Sequence, residues 1–553
     1  MKVRTIGLAL TALILPGIAH AAETCAGIGL EGHHPAAMTI TETKEVANDP
    51  AFPKPYCLVH GFTGAHKGID GKDYAIHFEM RLPDDWNGRY VHQFNGGNDG
   101  VVVPATGPLL GGNKKDTALG RGYAVVSSDA GHDGNASPEK GLAGGAAFGF
   151  DPVARIDYGY GAVEKLNPLA MALTEQYYGK KIAYRYGIGG SNGGRHGLMA
   201  ASRLPDQFDG LLVGYPGMNL PRAALQHALD VQSWSKVNPD ITKAFSVADM
   251  QFLAQQILKA CDGMDGRVDG VVSNADACQT RFNITSLACK PGQTKDCLSH
   301  AQIAALRTSH NGPYDSHGHM LYSSWVWDPG MGSKNWRMWK LESPIEAWHH
   351  KPIIDVMGAA SLAQIFTTPP TAVGPTPEDL EKYLLGFDFD KDAPKIDAVS
   401  GPFTQSAVSF MIPPDTGNPH LTQFRKDGHK MIVFHGNGDP VFSVLDTVKW
   451  YKNLDDNNNH QAADFVRFYR IPGMPHGAGG PSYDDFDFFT PLVDWVEHGK
   501  APEAVKAGIT PGNEEAAGLN PRDYLYCPYP KITTYIKERV KGKLTGKGEL
   551  VCQ

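Results

Sequence analysis

A serine flanked by glycines constrains the fold of this chain more than any other feature. A short run that favours a β-strand, Tyr184 to Ile188, leads into Gly189-Gly-Ser191-Asn-Gly193, and a run that can be helical follows. A serine at a sharp strand-to-helix turn needs neighbours without side chains, because the crowded backbone leaves no room for them. The sequence therefore predicts a nucleophile elbow with Ser191 at its tip. The same pattern also occurs by chance in glycine-rich loops, so it needs support from other residues.

Two later segments supply an acid and a histidine in the chain order of an α/β-hydrolase, which is serine, acid, histidine. The apolar run that starts at Lys430 ends in the polar turn holding Asp439, and the run from Phe465 to Ile471 ends in a loop of small residues around His476. Either residue could by itself be an ordinary turn residue. Because all three occur in the expected order and at the ends of strands, Ser191, Asp439 and His476 are the predicted catalytic triad.

The turn from Phe94 to Gly100 is the candidate for half of an oxyanion hole. It follows a strand early in the chain, where hydrolases place the second oxyanion amide. Gly97 is the predicted donor, with Gly96 as the alternative, and the partner amide is that of Asn192, the residue after the nucleophile. An ordinary glycine turn is the competing interpretation.

Strand-like and helix-like runs alternate between residues 70 and 216, with strands predicted at Ala75–Leu82, Arg89–Phe94 and Tyr123–Ser128 and a helix near Tyr158–Tyr178. This alternation predicts an α/β fold with an α/β-hydrolase core. The stretch between Ser191 and Asp439 is far longer than the few βα units that such a core needs. We therefore predict an inserted lid domain at residues 217–420, with residues 22–216 and 421–553 forming the core. The lid is rich in tryptophan: most should build its own core, and one or two facing the cleft would suit an aromatic acyl group.

The start of the chain predicts export. Lys2 and Arg4 precede an apolar run, and Ala19-His-Ala21 offers small residues that a signal peptidase reads, so residues 1–21 are predicted to be a signal peptide. That run is too short to span a bilayer and no other long apolar stretch follows, so membrane insertion is not expected. Eight cysteines, an even count in an exported chain, favour disulfides and a periplasmic or secreted protein.

The net charge of the chain indicates which binding partners to expect. A formal charge of −8 at pH 7 excludes a protein built to neutralise phosphates, so nucleic acid is not an expected partner. Nothing in the sequence determines the oligomeric state.

Several motifs together give the chain a resemblance to the tannase and feruloyl esterase family of secreted α/β-hydrolases, over nearly the whole mature chain. They are Trp86-Asn-Gly-Arg89, Gly122 to His132, Gly189 to Arg195, Phe208-Asp-Gly210, His435 to Pro440 and Asp494 to Pro502. The family usually has cysteines directly before the serine and directly after the histidine, joined as a disulfide, whereas this chain has Gly190 and Gly477. We therefore expect packing and the Asp439–His476 hydrogen bond alone to hold the triad.

The resemblance also bears on the cysteines, whose many possible pairings the sequence cannot decide between. The spacing of near neighbours, supported by the family, implies four bonds: Cys25 with Cys57, Cys261 with Cys278, Cys289 with Cys297, and Cys527 with Cys552. Each would contribute on the order of 2 to 4 kcal/mol, mostly by restricting the unfolded chain.

An acidic loop in the predicted lid is a candidate metal site. Its carboxylates at Asp262, Asp265 and Asp269 do not have EF-hand spacing, and such a loop is by itself more often a solvated turn. The resemblance implies a structural Ca²⁺ bound by these three side chains and by the carbonyls of Arg267 and Val271. Three anions held together would repel one another without a counter-ion, so the loop is expected to depend on calcium.

The activity implied by the resemblance is that of a serine esterase, with a small-molecule ester of a hydroxycinnamic, gallic or related aromatic acid as its substrate. His435 and Phe442 match positions that line the cleft in a terephthalate-ester member of the family, although either could be structural. Two alternatives stay open: an esterase for non-aromatic or oligomeric hydroxy-acid esters, and a catalytically silent, calcium-stabilised binding protein on the same scaffold.

Overall fold

The structure is a computed structural model that describes residues 23–49, 52, 54–112, 115–519, 524–540 and 543–553. The predicted signal peptide, residues 1–21, lies outside the described residues.

A nine-stranded sheet organises the described chain. Its strands are β1 Met38–Val46, β2 Tyr56–Lys67, β3 Asp73–Pro83, β4 Arg89–Phe94, β5 Ala124–Ser128, β6 Tyr184–Gly190, β7 Gly210–Gly214, β8 Lys430–Gly436 and β9 Val466–Ile471. Their order across the sheet is β1-β2-β3-β5-β4-β6-β7-β8-β9. The pairs from β1 to β5 in this order are antiparallel, and all pairs from β5 to β9 are parallel. Since parallel strands end at one edge, the loops after β4, β6, β8 and β9 meet there.

Helices cover the sheet on both faces. They are α1 Pro152–Ile156, α2 Ala162–Tyr178, α3 Asn192–Arg203, α4 Leu220–Ser235, α5 Val247–Cys261, α6 Ala275–Arg281, α7 His300–Asn311, α8 Lys334–Lys340, α9 Ala359–Gln364, α10 Pro377–Leu385, α11 Ala407–Met411, α12 Thr422–Lys426, α13 Val444–Asn457 and α14 Phe489–His498. Adjacent residues of β7 point to opposite faces. Val213 packs in one core with side chains of α3 and α13, and Leu212 packs in another with side chains of α14. The predicted α/β-hydrolase fold is confirmed.

Strands predicted from apolar runs are close to those observed. The strand predicted at Arg89–Phe94 has those bounds, and the strands predicted from Tyr123 and Phe465 each begin one residue later, at Ala124 and Val466. The parallel strands β5 and β7 are buried along their whole length, which explains their uninterrupted apolar or small residues.

The segment between β7 and β8 contributes helices α4 to α12 and no strand to the nine-stranded sheet. Trp325, Trp327 and Trp336 are buried within this segment, as expected of its own core. The bounds of the lid as a domain, residues 217–420, stay a prediction.

The rest of the chain forms two small sheets and four disulfides. One sheet holds β10 Asp485–Phe486, β11 Val505–Gly508 and β12 Tyr524–Tyr526, and the other holds β13 Thr533–Val540 and β14 Lys543–Cys552. The implied cysteine pairing is confirmed: Cys25–Cys57, Cys261–Cys278, Cys289–Cys297 and Cys527–Cys552 are all bonded. Among the described helices, none is both long and apolar enough to cross a membrane.

Candidate active site

Ser191 lies between β6 and α3 in a strained backbone conformation, with φ 63° and ψ −127°. The glycines around it are required sterically. A Cβ added to Gly189 would lie 2.5 Å from the backbone of Gly193, and one added to Gly193 would lie 2.3 Å from the carbonyl oxygen of Phe94. No side chain fits at such distances, so the elbow can form only with glycine at both positions.

The three predicted triad residues meet at the carboxyl edge of the sheet. The Ser191 hydroxyl lies 2.8 Å from Nε2 of His476, and Nδ1 of His476 lies 2.8 Å from Oδ2 of Asp439. Asp439 follows β8 and His476 follows β9, so neighbouring parallel strands bring residues that are far apart in sequence into contact. With Nδ1–H donating to the carboxylate, Nε2 is free to accept the serine proton.

Asp439 is held in its ionised form. Burial opposes ionisation, but His476 and His435 outweigh it through their charge and hydrogen bonds, and they hold the pKa of Asp439 below its ordinary value. Its Oδ1 also accepts hydrogen bonds from the backbone N–H groups of Val441 and Phe442, at 2.7 and 3.0 Å. The carboxylate is therefore fixed in orientation and stays charged at neutral pH.

Of the two residues predicted to contact substrate, Phe442 lies in the wall of the cavity above Ser191 and His435 does not. His435 is fully buried behind Asp439, with Nδ1 2.8 Å from the Thr447 hydroxyl and Nε2 3.0 Å from the Phe442 carbonyl oxygen. Its ring nitrogens are already used inside the protein, so the expectation that His435 lines the cleft is corrected to a position in which it supports the acid.

Both predicted oxyanion residues border the same cavity as Ser191. Asn192 is the first residue of α3, where a backbone N–H has no partner within the helix. Gly97 has a positive φ of 64° and open space around it, and a Cβ on Gly96 would lie 3.7 Å from Cβ of Ser191. The loop after β4 thus places Gly96 next to Ser191 and Gly97 at the edge of the same cavity, and the choice between their amides as the donor stays a prediction.

A buried polar network behind these amides was not predicted. Oδ2 of Asp99 accepts a hydrogen bond of 2.8 Å from the Asn192 side chain and lies 3.2 Å from Nε2 of His196. The Arg195 guanidinium donates to Oδ1 of Asn192 at 2.6 Å. Burial raises the pKa of Asp99 to about 7. Asp99 therefore ties the loop after β4 to the helix after Ser191, and only tertiary structure could reveal this.

Three aromatic rings surround the His476 imidazole edge-on: Tyr215, Trp339 and Phe442, with ring centroids at 4.9, 5.1 and 5.5 Å. Tyr215 follows β7, Trp339 belongs to α8 in the inserted segment, and Phe442 follows Asp439. The backbone carbonyl of His476 also accepts a hydrogen bond of 3.1 Å from the Asn335 side chain. Packing therefore fixes the histidine from three separate elements.

Tyr215 also fills the space beside Gly190 and Gly477. A Cβ on Gly190 would lie 2.3 Å from the Tyr215 hydroxyl oxygen, and a Cβ on Gly477 would lie 3.9 Å from it. One phenol ring therefore packs between the serine strand and the histidine loop. The expectation that packing and the Asp439–His476 hydrogen bond alone hold these residues is incomplete, because the Asn335 side chain also bonds to the His476 carbonyl. Glycines at these positions do not make the chain poor in disulfides, since all eight cysteines are bonded.

A cavity of about 660 Å³ opens above Ser191, and its wall is mostly apolar. Trp339 and Trp348 line it, as expected for one or two of the lid tryptophans. Among the described residues that line it there is no lysine and no arginine, and its ionisable members are Asp99, the histidines and two tyrosines. Such a wall suits an uncharged, largely apolar ligand.

The acidic loop lies between α5 and α6, with all three carboxylates largely buried. Asp262 accepts from two backbone N–H groups, one of them that of Asp269, and Asp265 accepts from that of Arg267. Burial, followed by the like charge of Asp265, raises the pKa of Asp269 to about 6, and the N–H of Val271 bonds to it. These buried oxygens suit a hard cation chemically. Within the described residues, however, no three acidic, histidine or cysteine side chains are grouped as around a metal.

The fold and the site define the chain as an α/β-hydrolase with a nucleophile elbow. Its residues 59–544 match the family model described as tannase and feruloyl esterase. The chain belongs to that family, and it is a carboxylic ester hydrolase.

Named relatives of the chain are also ester hydrolases. The chain is 37% identical over 533 residues to the mono(2-hydroxyethyl) terephthalate hydrolase of Piscinibacter sakaiensis. This alignment covers 91% of this chain and 87% of the relative. It is 26% identical over 482 residues to feruloyl esterase B of Aspergillus niger, covering 82% and 80% of the two chains. Both names are those of ester hydrolases.

Solved structures show the same fold at lower identity. Feruloyl esterase B from Aspergillus oryzae superposes with a TM-score of 0.69 at 22% identity, covering 94% of this chain and 97% of that one. Tannin acyl hydrolase from Aspergillus niger superposes with a TM-score of 0.65 at 21% identity, covering 96% of each chain.

Proposed function

We propose that the protein is an exported serine esterase that hydrolyses esters of aromatic carboxylic acids through an acyl-enzyme. The observation that carries the proposal is the hydrogen-bonded chain from Ser191 through His476 to Asp439, with 2.8 Å at each step. Hydrogen-bond reach between nucleophile, base and acid is the geometry that activates a serine hydroxyl.

The mechanism follows from these contacts. Nε2 of His476 takes the hydroxyl proton as Oγ of Ser191 attacks the ester carbonyl carbon, and the Asp439 carboxylate stabilises the imidazolium that forms. The amides of Gly97 and Asn192 bind the oxyanion. His476 then gives its proton to the departing alcohol oxygen, which leaves an acyl group on Ser191. His476 then takes a proton from a water molecule, whose oxygen attacks the acyl carbon. As the bond from that carbon to Oγ of Ser191 breaks, His476 returns the proton to Oγ, which releases the acid and restores the serine.

The substrate class rests on the wall of the cavity. Trp339, Trp348 and Phe442 offer aromatic surface, and most of the exposed wall is apolar. Aromatic acyl groups bury a large apolar area against such residues. Relatives named as feruloyl esterases and as a terephthalate-ester hydrolase support this class.

Export and calcium are part of the proposal. The four disulfides are typical of an oxidising compartment, which supports a periplasmic or secreted location. The buried carboxylates of Asp262, Asp265 and Asp269, together with the carbonyls of Arg267 and Val271, would hold a structural Ca²⁺. The ion would neutralise like charges in the loop and would take no part in the reaction.

Turnover of a panel of esters tests the proposal. Methyl esters of ferulic, gallic, benzoic and acetic acids are assayed with the purified protein and with Ser191→Ala. We expect aromatic acids to be released faster than acetate, and release to fall by several orders of magnitude in the variant. Preference for acetate would contradict the substrate class, and undiminished activity of Ser191→Ala would contradict the mechanism.

A further inference from the structure

A histidine side chain in the cavity wall has no hydrogen-bond partner among the described residues. His227 is 9% exposed and lies in the wall of the cavity above Ser191. No hydrogen bond joins its ring to any other residue that the structure describes. A buried polar group without a partner costs free energy, so an imidazole left in this state is suited to bind a polar group that enters the cavity.

Helix α4 carries this histidine along the cavity wall. The chain that leads into α4 starts beside the nucleophile, because the N–H of Gly217 donates to the carbonyl oxygen of Ser191 at 3.2 Å. Leu220, at the start of α4, also lines the cavity. Residues seven apart lie on one face of a helix, which puts His227 about 10 Å further along this face than Leu220. His227 is thus set back from the reacting carbonyl, where a remote part of the substrate would lie.

The space around the ring is shaped by the inserted segment. A helical turn at Ile354–Gly358 packs against α4, and a Cβ on Gly358 would lie only 2.6 Å from Cδ2 of His227. Met357 and Ser361 border the cavity beside this turn. The absence of a side chain at Gly358 therefore leaves room for the imidazole.

The ring is uncharged. Burial, assisted by the Lys340 ammonium, lowers the pKa of His227 to about 3. A neutral imidazole carries one donor and one acceptor nitrogen, and a hydroxyl group can pair with either. A carboxylate is less suited, because the described lining residues include no lysine or arginine and do include Asp99.

We infer that His227 is a specificity-determining residue that binds an uncharged hydroxyl group of the substrate. This inference rests on the proposed function and deepens it, because it selects hydroxyl-bearing aromatic esters within the broader class. The hydroxyl could belong to the acyl group or to the alcohol, and the same imidazole chemistry serves both.

Paired substrates that differ in one group test the inference. The acyl pair is methyl 4-hydroxycinnamate with methyl cinnamate, and the alcohol pair is 2-hydroxyethyl cinnamate with propyl cinnamate. For each pair the ratio of kcat/KM is measured on the same enzyme sample, so incomplete folding of a variant cancels. The variants are His227→Phe, which removes both ring nitrogens, and His227→Gln, which keeps a donor and an acceptor.

We expect the wild type to prefer the hydroxyl-bearing ester of the acyl pair by on the order of 10-fold or more, since a site built to bond a hydroxyl rejects the analogue that lacks it. His227→Phe should bring this ratio close to one, and His227→Gln should retain part of it. The same pattern in the alcohol pair would support the inference with the hydroxyl on the alcohol. His310→Phe is the matched control: His310 is a lid histidine stacked on Trp327, outside the cavity lining, and its variant should keep the wild-type ratio.

Ratios near one in the wild type for both pairs, or ratios unchanged in His227→Phe, would overturn the inference. If hydrolysis still depends on Ser191 in that case, the proposed function is unaffected. Loss of the proposed function would instead show as hydrolysis that persists in Ser191→Ala, whatever the hydroxyl preference.

Discussion

At the residue scale, the site contains residues held in unfavourable states, one in its backbone and one in its side chain. Ser191 has a positive φ of 63° and Asp99 is a carboxyl group buried without a full counter-charge. Such states persist only where the surroundings enforce them, and they concentrate at functional sites. The glycines beside Ser191 leave room for its strained backbone. The Asn192 side chain donates a hydrogen bond to the Asp99 carboxyl group, and Arg195 in turn donates to Asn192.

Asp99 should make stability depend on pH. Its pKa of about 7 in the folded protein lies above the value of roughly 3.9 for an unperturbed aspartate. The fold thus favours the protonated form, and this contribution to stability is fully present below about pH 4 and is lost as the pH rises through about 7. Asp99→Asn stays uncharged at every pH. We expect the melting temperature of the variant, relative to wild type, to increase between about pH 4 and about pH 8.

Calorimetry of both proteins over this range measures that difference. Asp456→Asn, at an exposed position, serves as the control and should show a much smaller change. A difference that stays constant with pH for Asp99→Asn would contradict the raised pKa.

Motifs made the residues of the proposed triad predictable, because Gly-x-Ser-x-Gly and the two strand ends are local patterns in the chain. Asp99 and His227 carry no such pattern. Their significance depends on which surfaces meet in three dimensions, and His435 shows the same limit: a position beside the acid in sequence faced the interior rather than the cleft.

At the element scale, the connection from β7 to α4 joins the parts of the site. Tyr215 in this connection has a positive φ of 34°, and its N–H donates to the Phe434 carbonyl oxygen at 2.6 Å. Its ring packs on His476 and fills the space beside Gly190. A turn residue with no motif of its own thereby packs between His476 and the strand that leads to Ser191.

Removing the Tyr215 ring should misplace His476. We expect Tyr215→Ala to lower kcat by on the order of 10- to 100-fold, because small errors in the position of a base have large effects on rate. Tyr215→Phe keeps the ring contact and should stay within a few-fold of wild type. Steady-state kinetics that separate kcat from KM provide the measurement. A change confined to KM in Tyr215→Ala would mean that the ring contacts substrate but does not position the histidine.

The strands that carry the candidate site were predictable at this scale, because each is an apolar run that ends in turn residues. The helix predicted from Tyr158 to Tyr178 begins with an irregular turn at Asp157–Gly161, and its regular part starts at Ala162. Gly159 packs there against the backbone of Phe410 from the inserted segment, a contact that the local sequence cannot reveal.

At the scale of the whole molecule, the inserted segment and the core share the site. Asp328 of the insert accepts a hydrogen bond of 3.2 Å from the N–H of Gly473, and Asn335 donates to the carbonyl of His476. The acidic loop in turn meets the C-terminal hairpin, where Arg267 lies over the Tyr535 ring at 5.2 Å. Loosening of the insert should therefore reach the histidine loop.

Calcium removal should lower the stability of the fold. We expect a chelator to lower the melting temperature, because the carboxylates of the acidic loop would repel one another without a cation. Asp265→Ala should lower the melting temperature of the calcium-loaded protein and make it insensitive to chelator. Thermal melts with and without chelator, together with metal analysis, test this. If chelator leaves the melting temperature unchanged and metal analysis finds no calcium, the loop is an acidic turn that binds no cation.

Reduction of the disulfides should act on the fold before it acts on the chemistry. The four bonds join Cys25–Cys57, Cys261–Cys278, Cys289–Cys297 and Cys527–Cys552, and none includes a residue adjacent to Ser191 or His476. We expect mild reductant to lower the melting temperature while kcat stays near wild type, measured where circular dichroism shows a folded protein. A large fall in kcat under those conditions would show that a disulfide supports the triad directly.

The central claim is that Ser191 forms the covalent intermediate. A fluorophosphonate reacts with a serine activated by its histidine and leaves a stable adduct that peptide mass spectrometry can locate. We expect one adduct per chain, on Ser191, with loss of ester hydrolysis in step with labelling and no adduct in Ser191→Ala. Labelling at another residue, or full hydrolytic activity in a protein that the reagent does not modify, would contradict this account.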